Sequence, residues 1–230
     1  DPEQRKEVLD ALEFDPYKDR DFYVGGYKEL QFDTVYHEHF YYFTLKSILK
    51  IFSKYKLRVW DVEELKTHGG SLRIYISHQN SNKKIQKSIS RVLKKEQNLQ
   101  LFQLKTFSSF SKRVNLIKIK TLKFLKLELQ KRKKIAFYGA AAKGNTFLNF
   151  LRVNNKKINH IFDLSKPKIG KYLPGSKIKV FYPHKKIVYK FDIIIILPWN
   201  LKYEIALQLQ KKIKKSCEIY VCIPEIKKIN

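Results

Sequence analysis

Two patterns of apolar residues divide the chain. Up to about residue 132 the apolar positions are spaced, and from Lys134 onward they come in short unbroken runs between small or polar residues. Residues 1–30 read as a leader in which Val8, Leu9 and Leu12 suit one amphipathic turn, while Asp15-Pro16 and Gly25-Gly26 break anything longer. Phe32 to Tyr42 is rich in aromatics and contains Tyr36-His37-Glu38-His39. Thr44 then suits an N-cap, with Leu45, Ile48, Leu49 and Phe52 behind it at helical spacing. Leu57 to Val62 and Leu72 to Ser77 read as strands joined by a tight loop at Thr67–Ser71, predicting an antiparallel arm. Residues 81–132 predict basic helix, with one stripe at Ile85, Ile89, Val92 and Leu93 and another at Phe107, Phe110, Val114 and Ile117.

The unbroken runs that follow predict buried strands at Ile135–Tyr138, Asn159–Phe162, Ile178–Phe181, Phe191–Leu197 and Cys217–Ile223, with helices over Phe147–Val153 and Tyr203–Lys214. Strand, glycine-bearing turn, helix and strand with a terminal acid is the opening of a doubly wound sheet. The fold class is therefore α/β: a doubly wound sheet preceded by a helix with an antiparallel arm and by a helical bridge. Four segments follow: a leader (1–30), the helix and arm (31–80), the basic bridge (81–132) and the α/β domain (133–230).

Composition narrows the function classes. The chain has 230 residues, 43% hydrophobic and 14% aromatic, enough to build a core. Its net charge is +27. Of the 48 basic residues 40 are lysine and only 8 arginine, spread among many Ile and Asn, which points to compositional drift more than to sequence-reading of nucleic acid. Nucleic-acid binding stays as a rival, and phosphate-bearing small molecules suit the charge either way. The longest pure apolar stretch, Ile193–Leu197, is far short of a membrane span. The first ten residues are mostly polar and charged, so no secretory signal is expected and the expected location is cytoplasmic. Cys217 and Cys222 read as core thiols. With no Met in the sequence, the chain reads as a fragment of a longer protein.

Three stretches carry candidate chemistry. In Gly139-Ala140-Ala141-Ala142-Lys143-Gly144-Asn145-Thr146, a small-residue turn into a helix offers backbone N–H groups, a helix N-terminus and the Lys143 charge to a phosphate, or is simply a tight turn. Asp163 ends the next strand, where a dinucleotide fold places its ribose-binding acid, or it caps a turn. If Tyr36–His39 is extended, His37 and His39 share a face, suiting a metal pair, a general base oriented by Glu38 or Tyr36, or packed polar aromatics. No third metal ligand is evident, so no metal is expected. In His68-Gly69-Gly70-Ser71, the glycines permit close approach and Ser71 and Arg73 suit phosphate or sugar oxygens; a plain hairpin turn explains them as well.

Five motifs occur in order: Gln31-Phe32-Asp33-Thr34-Val35-Tyr36-His37-Glu38-His39, Thr67–Arg73, Gly139–Thr146, Lys171-Tyr172-Leu173-Pro174-Gly175 and Leu197-Pro198-Trp199-Asn200-Leu201. Together they resemble the C-terminal part of the sugar-nucleotide C-methyltransferases, from about Gln31 to Glu225. The resemblance implies a Rossmann-like domain that holds a nucleotide-linked keto-deoxysugar carried on dTDP. It implies His39 as the base that removes the proton beside the keto group, assisted by Tyr36 and Glu38. It implies substrate contacts from His68, Gly69, Gly70, Ser71, Arg73, Gly139, Ala140, Ala141, Lys143, Gly144, Asn145, Thr146, Asp163, Pro198, Trp199 and Asn200. S-adenosylmethionine is the methyl donor the resemblance implies. The family's zinc cysteines and a glycine-rich donor turn do not precede Gln31, so the donor domain is expected to be absent from this chain and supplied by the rest of a longer chain or by a partner subunit. The rival is a sugar-nucleotide-binding module or relic without catalysis.

Overall fold

The computed structural model describes residues 24–39, 41–65 and 70–230. Within them the chain divides into two compact units, one of residues 24–31 and 37–111, the other of residues 32–36 and 112–230. The leader residues Val8, Leu9, Leu12, Asp15 and Pro16 lie outside the described part. Gly25 and Gly26 sit inside a short helix, α1 (Val24–Lys28), instead of breaking the chain there.

In the first unit, α2 (Leu45–Lys54) starts where the sequence places it. Thr44 accepts from the Ser47 N–H and Ser47 returns the bond, a reciprocal cap. The antiparallel arm is β1 (Leu57–Leu65) and β2 (Ser71–His78), paired from Leu57–His78 to Leu65–Ser71 with an irregularity between Val59 and Asp61. Helix α3 (Lys87–Asn98) follows. Leu45, Ile48, Phe52, Val59, Val62, Ile89, Val92 and Leu101 form the unit's core. Ile85 and Phe107, expected in apolar stripes, are exposed, because α3 begins only at Lys87 and the buried face of the long helix α4 (Leu104–Gln130) runs through Val114, Ile117, Thr121 and Leu125.

A buried acid completes this core. Glu96 is fully buried and its carboxylate accepts from the N–H groups of Leu45 (2.5 Å) and Lys46 (3.2 Å), the open end of α2. Burial raises its pKa, against the pull of these two bonds.

The second unit is a six-stranded sheet in the order β5-β4-β3-β6-β7-β8. Its strands are β3 (Ile135–Tyr138), β4 (His160–Phe162), β5 (Lys179–Phe181), β6 (Ile193–Ile196), β7 (Glu218–Val221) and β8 (Lys227–Lys228). The first five are parallel and β8 is antiparallel to β7. Every residue of β3 and β6 is buried, which is why their sequences are apolar without alternation. Helix α5 (Ala142–Leu151) joins β3 to β4, α6 (Lys185–Val188) lies between β5 and β6, and α7 (Lys202–Gln210) joins β6 to β7. From the central pair the chain winds outward both ways, so right-handed crossovers put α5 and α7 on opposite faces. Cys217 and Cys222 are buried free thiols, pushed up to about 11 and about 12 by burial. Among the described residues no helix is long and apolar enough to cross a membrane.

Candidate functional site

The strand order reverses between β3 and β6, so the crevice outside their carboxyl ends is the place where such sheets bind ligands. Two of the sequence motifs meet there. β3 runs into Gly139–Thr146, and β6 runs into Leu197-Pro198 and a 3-10 turn at Trp199–Leu201.

The glycines of the first motif are explained by packing. Gly139 has φ +95°, and a Cβ there would overlap Cδ and Cγ of Pro198. At Gly144 a Cβ would lie 2.8 Å from Leu197 Cδ1 and 2.9 Å from the Gly139 carbonyl oxygen. The close approach that sequence reasoning reserves for a phosphate is thus between the two loops themselves.

Asp163 braces the same turn. Its Oδ2 accepts from the Ala140 N–H (2.7 Å) and its Oδ1 from the Ser165 N–H (2.8 Å), with Lys168 Nζ at 3.5 Å. The ribose-facing role expected of Asp163 competes with this bracing one. Beyond it, the N–H groups of Ala142 and Gly144, in the first turn of α5, have no acceptor among the described residues. They face the same end of the helix as Lys143. Thr146 turns its hydroxyl back onto the Ala142 carbonyl (3.1 Å), and the Asn145 carbonyl accepts from Asn149 Nδ2 (2.9 Å). The same Asn149 amide donates to the Pro174 carbonyl (3.1 Å), and Gly175, at φ +75°, leaves no room for a Cβ against Asn149 Oδ1. The Lys171–Gly175 motif is therefore seated on α5 by its proline and glycine.

A third segment closes on this end of the sheet. Residues 32–36 belong to the second unit although they precede α2 in sequence. Phe32 packs against Phe147 and Phe150 of α5 with its ring tilted to both, ring centres 6.1 and 4.8 Å apart. Next to it Asp33 is only 1% exposed, and its Oδ2 accepts from Trp199 Nε1–H at 3.0 Å. Lys143 Nζ stands 5.7 Å from the centre of the Trp199 ring. Burial pushes the Asp33 carboxyl up to about 6, while the Lys143 charge and the indole bond act the other way. The sequence places Asp33 within a motif but gives it no role, and nothing in its flanking residues marks it as buried, since Val35 is exposed. Pro198 is spent on Gly139, and Asn200 is exposed.

Tyr36 to His39 is a bend and turn, not an extended segment. His37 and His39 therefore do not share a face. The His37 side chain is 87% exposed and lies 4.0 Å from Glu38, itself 60% exposed, whereas His39 is buried at 7%. The unit boundary falls inside the motif: Tyr36 belongs with Asp33, and His37 to His39 belong with the first unit. Of the arm's candidates, His68 and Gly69 lie outside the described residues. Gly70 has φ +120° and Ser71 opens β2. Arg73 faces Glu63 across the arm, Nη1 to Oε2 2.8 Å, and Tyr75 donates to the same oxygen at 3.0 Å. Among the described residues no group of three or more His, Cys, Asp or Glu is placed to hold a metal.

A family model for the C-methyltransferase C-terminal domain matches residues 66–224. The C-methyltransferase NovU of Streptomyces niveus is 29% identical over 198 residues, 86% of this chain and 47% of that protein. The chain thus spans about half the length of this relative. The family match takes in β2, the Gly139–Thr146 turn and the Leu197–Leu201 turn packed on that Gly139–Thr146 turn, and it covers well over half of the chain, so the chain belongs to the C-methyltransferase C-terminal domain family.

Proposed function

We propose that this chain is the acceptor-binding part of an S-adenosylmethionine-dependent C-methyltransferase that acts beside the keto group of a nucleotide-linked deoxysugar. One observation carries the reading: segments 32–36, 139–146 and 197–201, far apart in sequence, gather at the switch point of the sheet. The diphosphate would lie at the start of α5, taking the Ala142 and Gly144 N–H groups and the Lys143 ammonium. The indole of Trp199 would form one wall of the crevice.

His39 is the proposed base, with Tyr36 and Glu38 assisting. Its burial excludes water from an imidazole that must take a proton from carbon, a role the exposed His37 does not suit. Removing that proton leaves an enolate, whose carbon is the nucleophile. S-adenosylmethionine, when bound, supplies the electrophilic methyl. The described residues do not fit that donor themselves. The glycines of the turn at 139–144 are filled by Leu197 and Pro198, and the acid after β4 is engaged by backbone N–H groups. The donor is therefore assigned to a separate domain or subunit.

Calorimetry with a dTDP-linked keto-deoxysugar tests the reading. Binding is expected, and Lys143→Ala should weaken it by about 1–3 kcal/mol, the range of a lost charge-assisted hydrogen bond. Absence of binding to the unaltered chain refutes the proposal.

A further inference from the structure

We propose that Asp33 is part of the anion site: a buried carboxylate that holds Lys143 at the crevice until a ligand diphosphate takes over that ammonium, whereupon Asp33 binds a proton. The inference rests on the nucleotide-diphosphate reading above and names how that site is regulated by its own residues.

Its first support is the geometry of the carboxyl group. Oδ2 accepts from the Trp199 indole N–H at 3.0 Å, while Oδ1 is buried and has no hydrogen-bond partner among the described residues. If holding the indole were the whole purpose, the amide oxygen of an asparagine would serve, without a charge to bury. What an acid adds is negative charge, and a buried charge is tolerated only where something compensates it. Lys143 is the compensating group. It stands over the Trp199 ring at the start of α5, and its charge favours the ionised form of Asp33. From the Trp199 turn only the neutral indole reaches Asp33; Lys202, which follows that turn, lies over the Tyr203 ring at 5.2 Å. Lys118, on α4, lies over the Phe150 ring at 4.7 Å.

The second support is that one cation serves two anions. Among the described residues the N–H groups of Ala142 and Gly144 have no acceptor, and they lie at the helix end that carries Lys143. A diphosphate seated there draws the ammonium toward itself, and Asp33 stays buried with less counter-charge. Burial already holds this carboxyl at about 6, so a modest loss of compensation brings its titration to neutrality. The proton comes from solvent and goes to the unpartnered Oδ1. Lys143 stays protonated throughout, and the net change is one O–H bond formed at Asp33.

The test is calorimetry of the full chain with dTDP-glucose, whose diphosphate has no group that titrates near neutrality. It is run at pH 7 in two non-phosphate buffers of different ionisation enthalpy. The expected result is a net uptake of part of a proton per nucleotide. Affinity should then rise roughly two- to threefold for each pH unit lowered between 7.5 and 6, the slope of that partial proton. Asp33→Asn should abolish both the uptake and the pH dependence while binding at least as tightly. Lys143→Gln, a second variant, should also abolish the uptake but bind more weakly. In a Trp60→Phe background Trp199 is the only tryptophan, and its emission verifies that each variant is folded. Binding without proton uptake, or equal uptake in Asp33→Asn, overturns this inference alone. Absence of any binding overturns it together with the function on which it rests.

Discussion

Gly139→Ala decides whether the glycine of the β3–α5 turn serves a ligand or the protein's own packing. At φ +95° a residue with a Cβ is strained by about 1–3 kcal/mol. The new methyl group would also overlap the Pro198 ring, and overpacking of this kind costs about 1–3 kcal/mol. A net loss of about 2–6 kcal/mol is expected, a large part of the roughly 5–15 kcal/mol that holds a domain folded. Urea unfolding followed by Trp199 emission, in a Trp60→Phe background, reports the second unit alone. With a slope of about 2 kcal/mol per molar, the midpoint should fall by about 1–3 M at unchanged slope. Adding Pro198→Ala should restore about 1–3 kcal/mol, because it removes the overlap and leaves the strained φ. A variant whose midpoint is unchanged, yet which no longer binds dTDP-glucose, would refute the packing argument and return the glycine to the ligand.

Two further predictions concern the first unit. In a chain joined to a methyl-donor domain, His39→Ala should lower turnover about a hundredfold to ten-thousandfold, the usual contribution of a positioned base. It should also abolish deuterium exchange at the carbon beside the keto group, while His37→Ala leaves exchange intact; exchange lost in His37→Ala alone would move the base there. Glu96→Ala should destabilise the unit by about 1–3 kcal/mol, since the Leu45 and Lys46 N–H groups lose their acceptor. The folded pKa of Glu96 is raised above 4.5, so the folded state binds more protons than the unfolded one as the pH falls toward that value. The advantage of wild type over Glu96→Ala should therefore grow as the pH is lowered from 7 toward 4.5. An advantage that shrinks in that range, in denaturant titrations of both proteins, would show that the amide bonds outweigh burial.

What the sequence determined by itself was local. Thr44 caps α2 because its hydroxyl meets a donor three residues on, and β3 spans Ile135–Tyr138 because an apolar run ending at a glycine has few other outcomes. The ordered motifs likewise carried the family and the α/β class, since spacing and residue type are what a motif consists of. Tertiary structure decided the rest, because burial and partnership join residues that no period relates. Asp33 meets Trp199 across 166 positions, and Glu96 reaches back 51 positions to close α2. The turn at residues 37–38 gives His37 to solvent and buries His39, a distinction an alternating pattern could not contain. Gly139 and Gly144 were legible as small, but the reason for their size lies in Leu197 and Pro198, brought alongside only when β6 pairs with β3.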